Sequence, residues 1–177
     1  RMATLVEDLL TLARLDEGRP LEITDIDLVK LADNAVFDLQ ALDPTRTVGL
    51  TGITGRTPPM SLIVPGDRDR LSQVFTNLIG NIVRYTPSGS PVEIALGLSG
   101  DTAIVELRDH GPGIDETDRG RVFERFYRAD TSRNRKSGGS GLGLAIVSGI
   151  LAAHRGRASL TKTKGGGLTV RIELPTA

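Results

Sequence analysis

The sequence predicts an α/β sandwich with a mixed sheet, led by one helix that needs partners to be stable. Three observations predict it. Apolar residues switch along the chain between helical spacing and strict alternation. The alternating segments of the C-terminal half fall into hairpins with helices between them. The first stretch carries a leucine seam set off by Gly18 and Pro20. The 177 residues suffice for one ordinary domain with a core plus a short extra element.

Met2, Leu5, Leu9 and Leu12 form an a/d seam widened by Val6 and Ala13, ending at Asp16-Glu17-Gly18-Arg19-Pro20. A helix of about 16 residues is marginal alone. It is expected to pack in a bundle with absent sequence or a second subunit, ahead of packing on the body of this chain. Asp27 to Leu42 reads as a second amphipathic helix through Leu28, Leu31, Ala35 and Leu39. Strands are expected at Thr47–Ile53 and Ser61–Val64. A third helix runs from about Asp67 to Tyr85 and stops at Pro87. Its buried stripe is Leu71, Val74, Leu78 and Ile82.

Val92, Ile94, Leu96 and Leu98 alternate as a half-buried strand, with Thr102–Arg108 as its hairpin partner across Gly100-Asp101. A short helical stretch holding Val122, Phe123 and Phe126 follows. Residues 128–140 lack periodicity and are rich in Arg, Lys and Gly, the mark of a long functional loop. Leu142 to Ala153 is an apolar helix. Ala158–Thr163 and Leu168–Leu174 close the chain as a hairpin across Lys164-Gly165-Gly166.

Composition excludes several classes. Aromatics are 3%, so the core is aliphatic. A formal net charge of zero argues against nucleic acid or an anionic membrane as the main partner. The absence of cysteine removes disulfides, Cys-based zinc sites and thiol nucleophiles. No apolar run reaches the ~20 residues of a membrane span. The chain opens inside a helix and reads as part of something longer.

Asn77, Asn81 and Arg84 sit at i, i+4 and i+7 and share one helix face, distinct from the apolar stripe. Two amides and a cation so placed suit a polar ligand. Two glycine clusters follow, Asp109-His110-Gly111-Pro112-Gly113-Ile114 and Gly139-Ser140-Gly141-Leu142-Gly143-Leu144. Neither has the dinucleotide Gly-x-Gly-x-x-Gly spacing, and no P-loop is present. Glycines that open the helix at Leu142 leave backbone N–H groups at a positive terminus, an anion site. With the basic loop beside it, phosphate is the natural anion. Asp109, at a strand end, suits an exocyclic amine, and equally could bond its own turn. Asn81 offers an oxygen to Mg²⁺, a cation commonly held jointly with substrate phosphates.

The set resembles sensor histidine kinases. Asn77-x-x-x-Asn81 with Arg84-Tyr85-Thr86-Pro87 is similar to their N box, and Asp109 to Ile114 to the G1 box. Phe123-Glu124-Arg125-Phe126-Tyr127-Arg128 looks like the F box, and Gly139 to Leu144 like the G2 box. The resemblance implies a Bergerat fold: a two-layer sandwich of a mixed sheet on three helices, preceded by one bundle helix. Residues 1–17 would be the end of a dimerisation and histidine-phosphotransfer bundle, 18–20 a linker, and 21–177 the ATP-binding domain, with an ATP lid at about 128–140.

ATP and Mg²⁺ are the implied cofactors. The resemblance makes Asn81 the Mg²⁺ ligand, with Asn77 supporting phosphates or metal. Arg84 meets a phosphate and Tyr85 lines the nucleotide. Asp109 binds the adenine amino group, Gly111 and Gly113 allow close approach, and Ile114 walls the base. Arg133, Arg135 or Lys136 reaches the phosphates. Ser140 and the backbone of Gly141, Leu142, Gly143 and Leu144 cradle the triphosphate. Thr169 supplies a hydroxyl next to Leu168, where the family often has Ser or Thr. Position 84 is usually Lys in the family, and Arg changes the donor geometry.

The implied activity is transfer of the ATP γ-phosphoryl group to a histidine on a bundle helix absent from this chain, then to a response regulator Asp. Neither His110 nor His154 fits as acceptor. The implied partners are the histidine-bearing bundle helix, a response regulator and a second copy of the full-length kinase, with no nucleic acid. The implied place is the cytoplasmic domain of a membrane-anchored bacterial protein. The alternatives are a nucleotide-binding regulatory module or pseudokinase, and an ATPase of the gyrase or Hsp90 type. The latter relatives carry a Glu base where this chain has Asn77, which cannot remove a proton.

Overall fold

A computed structural model describes residues 2–128 and 139–177, except the side chain of Thr4. The element order is α1 (Met2–Asp16), β1 (Thr24–Asp27), α2 (Leu28–Leu42), β2 (Val48–Gly52), β3 (Ile63–Gly66), α3 (Arg68–Tyr85), β4 (Val92–Ser99), β5 (Thr102–Asp109), α4 (Glu116–Arg119), α5 (Gly143–Ala153), β6 (Arg157–Lys162) and β7 (Leu168–Pro175). Five strands form one sheet in the order β2-β4-β5-β7-β6. Strand β2 pairs parallel to β4 and the other neighbours pair antiparallel, so the sheet is mixed as expected.

Helices α2, α3 and α5 cover one face of this sheet. Leu31 and Leu39 of α2, Leu71, Leu78 and Ile82 of α3, and Ile146 and Ile150 of α5 are buried. They meet Ile94, Leu96, Val105, Leu107 and Ile172 from the strands. Alternation explains the split: Ala103, Val105, Leu107 and Asp109 of β5 take the helical side, and Glu106 and Arg108 the other. The outer side carries a charge ladder in which Arg108 and Arg171 both contact Glu106, and Arg157 and Arg171 both contact Glu173.

Both long internal helices begin at an aspartate cap. Asp27 accepts from the Val29 N–H at 3.1 Å and from the Leu62 N–H at 3.0 Å. Asp67 accepts from the Arg70 N–H at 3.1 Å and the Glu22 N–H at 3.2 Å. His154, at the end of α5, locks this corner: Nδ1 donates to the Ile150 carbonyl at 2.7 Å, and Nε2 accepts from the Asp67 N–H at 3.0 Å. Both ring nitrogens are therefore committed to structure.

One expectation, the helical stretch at Val122 to Phe126, needs correction, and two features go beyond the sequence reading. Strand β1 was not anticipated; it pairs antiparallel with β3 in a separate two-stranded sheet. Ile26 is its only buried residue, so it carries little alternation. The helical stretch around Val122 to Phe126 is instead a series of turns after the short α4, and Phe126 has a positive φ of 62°. Helix α1 docks on the body of this same chain. Leu12 is buried, Leu15 reaches Gly149 of α5, and Leu5 is partly covered. Met2, Val6 and Leu9 from the predicted seam stay exposed. No helix among the described residues is long and apolar enough to cross a membrane.

Candidate nucleotide site

The polar face of α3 meets the segment that opens α5. A Cβ built on Gly143 would stand 3.6 Å from Asn77 Oδ1, 3.8 Å from Asn81 Oδ1 and 3.9 Å from Asn81 Nδ2. A Cβ on Gly139 would stand 2.7 Å from an Arg84 guanidinium nitrogen and 2.8 Å from the Tyr85 hydroxyl. Glycine thus lets the backbone of residues 139–143 approach the face that bears Asn77, Asn81, Arg84 and Tyr85. No side chain caps α5, so its leading N–H groups are left to whatever lies before them. Ser140 Oγ accepts from the Leu142 N–H at 3.2 Å, ahead of the helix. Asn77 Nδ2 is buried, with no hydrogen-bond partner among the described residues. A buried amide left unpaired costs about 1–3 kcal/mol, a cost that a bound acceptor would relieve.

The stem of this segment is tied across. The Phe126 N–H donates to the Gly141 carbonyl at 3.1 Å. Gly141 has a φ of 72°, and a Cβ there would lie 3.0 Å from the Tyr127 carbonyl oxygen. Phe126 in the left-handed region is uncommon for a bulky residue and marks local strain of about 1–3 kcal/mol. Tyr127 donates its hydroxyl to Asp118 at 2.6 Å, and this bond to a carboxylate raises the phenol above its ordinary range.

Asp109 closes the other side. It is buried, with only 8% exposed, at the end of β5 on the helical side of the sheet. Its Oδ1 accepts from the Gly111 N–H at 2.9 Å and the Leu168 N–H at 3.1 Å. Its Oδ2 has no partner among the described residues. One oxygen orients the carboxylate, leaving the second to accept from a ligand. Gly111 abuts the Thr86 side chain directly after α3, and a Cβ on Gly113 would lie 3.1 Å from the Gly167 carbonyl oxygen. Ile114 is half-buried beside this turn.

Most predicted positions therefore fall into two adjoining groups: Asn77, Asn81, Arg84 and Tyr85 from α3 with Ser140 to Leu144 from the second glycine turn, and Asp109, Gly111, Gly113 and Ile114 from the first, the two meeting where Gly111 abuts Thr86. Thr169 does not join them. It pairs in register with Arg108 on the outer side of the sheet, and its hydroxyl lies 2.9 Å from that of Thr163. The neighbour that reaches Asp109 is the backbone of Leu168. Arg133, Arg135 and Lys136 lie outside the described residues, as does most of the predicted lid.

Sequence reading missed the groups that fix the segment after α3 and the Asp109 turn. Arg46 is buried and donates to the Thr86 hydroxyl at 2.9 Å, the Ser90 carbonyl at 2.8 Å and the Pro87 carbonyl at 3.2 Å. Asp43 lies 3.3 Å from it and accepts from the Thr45 hydroxyl, the Gly89 N–H and the Ser88 hydroxyl. These bonds, led by Thr45, hold the Asp43 carboxyl well below the usual carboxylate range. Gly167 is the other omission: with a φ of 107°, it packs its α-carbon on the Asp109 carbonyl. Nothing local marks either group, since each acts on residues forty or more positions away.

Among the described residues no group of three or more His, Asp and Glu side chains gathers as a metal site. The donor set fits a hard cation held by one amide oxygen, water and ligand phosphates better than an all-protein cage.

Residues 66–177 match the family model described as histidine kinase-, DNA gyrase B- and HSP90-like ATPase. The chain is 43% identical over 165 residues to the probable sensor histidine kinase TcrY of Mycobacterium tuberculosis, covering 93% of this chain and 34% of that protein. Its fold superposes with a TM-score of 0.82 on full-length ShkA in complex with AMPPNP, at 26% identity, covering 99% of this chain and 36% of ShkA. It also superposes with a TM-score of 0.76 on histidine kinase ThkA in complex with response regulator protein TrrA, at 21% identity, covering all of this chain and 48% of ThkA. The chain belongs to the histidine kinase-, gyrase B- and HSP90-like ATPase family and, within it, is an ATP-binding catalytic domain of the sensor histidine kinase kind. It spans about a third of the length of the curated relatives it matches.

Proposed function

We propose that this chain binds Mg-ATP between α3 and the start of α5 and presents the γ-phosphoryl group to a histidine on a bundle helix outside this sequence. The observation that carries the reading is the amide face of Asn77 and Asn81 set against the uncapped start of α5, with Asn77 Nδ2 buried and without a partner among the described residues. Asn81 supplies an oxygen to Mg²⁺, and Asn77 donates to a phosphate oxygen. Arg84 adds charge at the phosphates, and Tyr85 lines the cleft. Asp109 Oδ2 accepts from the adenine amino group, while Gly111, Gly113 and Ile114 shape the base pocket. The backbone from Gly141 to Leu144 completes the anion cradle.

The chemistry this asks of the protein is positioning and charge stabilisation. The bond from the γ-phosphorus to the bridging oxygen breaks, a phosphorus–nitrogen bond forms at the imidazole, and ADP leaves. Asn77 has no basic group to activate water, which favours transfer over hydrolysis. ThkA is described with a response regulator, and a response regulator Asp is the natural next acceptor here too. We place the chain in the cytoplasmic part of a membrane-anchored homodimer. Residues 1–17 then contribute to its bundle through Met2, Val6, Leu9 and Ala13, which are exposed at spacings of 4, 3 and 4.

Binding of Mg-AMPPNP by calorimetry tests the site. Asn81→Ala is expected to weaken binding about tenfold or more in Mg²⁺ and to abolish most of the Mg²⁺ dependence; an unchanged Mg²⁺ dependence would remove its metal role. Asp109→Asn is expected to weaken ATP more than GTP, and an equal loss for both would contradict the adenine contact.

A further inference from the structure

Helix α1 carries a carboxylate to the anion-binding edge of the cleft. Asp8 Oδ2 accepts from the Ser140 hydroxyl at 3.2 Å, and the same hydroxyl oxygen accepts from the Leu142 N–H just before α5. The Arg84 guanidinium lies against Gly139, next to Ser140, and its charge favours this carboxylate. Ser140 and Arg84 both belong to the groups that the proposed function assigns to nucleotide phosphate. Burial raises the Asp8 carboxyl above its ordinary value, and Glu7 adds to the rise, while Ser140 and Arg84 oppose it.

A helix docked only by packing has no need of an anion there. Leu12 is buried and Leu15 meets Gly149, so α1 already has an apolar seat. Polar ties elsewhere fix its register: Gln73 donates to the Thr11 hydroxyl at 3.3 Å, and Arg125 pairs with Asp16 at 2.6 Å. A neutral residue could take the Ser140 bond without bearing the desolvation of a charge.

We propose that Asp8 is an internal competitor for nucleotide phosphate, so that docking of α1 on the catalytic body and binding of nucleotide oppose each other. The proposal rests on the nucleotide reading of the site. With α1 docked, Asp8 engages Ser140, draws on the charge of Arg84 and sets a negative charge where a polyphosphate must come. Nucleotide binding then drives α1 off the body. By linkage, whatever pulls α1 away, such as its packing into a bundle, tightens nucleotide binding by the same factor.

The test is Mg-AMPPNP calorimetry on the whole 177-residue chain. Asp8→Asn keeps the shape and an acceptor for Ser140 but removes the charge. It is expected to bind about tenfold tighter than the parent chain, within the usual range of coupling between sites. Asp16→Asn breaks the Arg125 pair without touching Ser140 or Arg84, and is expected to change affinity by less than about twofold. Amide exchange in α1 of the parent chain is expected to speed up on adding nucleotide. Equal or weaker binding by Asp8→Asn overturns the proposal, as does a gain from Asp16→Asn that persists undiminished in the Asp8→Asn background, which would make docking itself, and not the charge of Asp8, the cause. A parent chain that binds no nucleotide would sink the underlying reading as well. A parent that binds, with Asp8→Asn no tighter, would sink this proposal alone.

Discussion

Asp109 shows how a single side chain is prepared by backbone. Two N–H groups, from Gly111 and Leu168, hold one oxygen and leave the other without a described partner. The residue was legible in the sequence because it ends an alternating strand and opens a glycine turn. Its support was not, because Leu168 lies 59 positions away and contributes an N–H that any non-proline residue would offer. The same holds for Asp43 and Arg46, whose partners Thr86 to Ser90 lie on another loop. Because the folded-state Asp43 carboxyl sits below its unfolded value, its contribution to stability is complete above about pH 5. That contribution is lost as the pH falls below about 4, toward the depressed folded value. Glu173, lowered by Arg157 and Arg171, loses its part in the same direction. Asp43→Asn is therefore expected to melt earlier than the parent at pH 7, with the gap unchanged down to about pH 5 and narrowing below about pH 4. A gap that stays constant across that range would show that the charge of Asp43 is not what matters.

At the scale of elements, periodicity located most helices and strands well, and missed where tertiary contacts define the element. Helix α5 was legible from its apolar run, and Ile146 and Ile150 are fully buried in it. Ile146→Ala is expected to cost about 2–5 kcal/mol in denaturant unfolding. Strand β1 has one buried residue, so only its pairing with β3 reveals it. Helix α1 was read from a single seam, but the folded chain splits that seam, taking Leu12 inward and leaving Met2, Val6 and Leu9 exposed. The β6–β7 turn gives the sharpest contrast. Gly165, Gly166 and Gly167 all have positive φ, but a Cβ on Gly165 would meet nothing within 4 Å, whereas one on Gly167 would collide with the Asp109 backbone. Gly165→Ala is expected to cost about 1–3 kcal/mol from backbone strain alone. Gly167→Ala is expected to cost clearly more and to weaken nucleotide binding through Asp109. Equal costs for the two variants in parallel melts would show that the contact with Asp109 is unimportant.

For the whole molecule, the sheet supplies a rigid platform whose helical side is sealed by α2, α3 and α5. The cleft forms where the end of α3, the end of β5 and the start of α5 converge. Function was legible here because short glycine turns and the Asn face keep their spacing whatever surrounds them. The docking of α1 was not, since an amphipathic helix alone does not say which partner covers it. As proposed, this cleft passes phosphate to histidine and does not hydrolyse ATP for its own sake. The most direct test mixes the chain with a histidine-bearing bundle of its own kind, supplied in trans, and γ-labelled Mg-ATP. Label is expected on a bundle histidine, acid-labile and base-stable, with negligible free phosphate from the chain alone. Release of phosphate at about 1 s⁻¹ or faster, the range of working enzymes, with no label on histidine, would contradict the proposal.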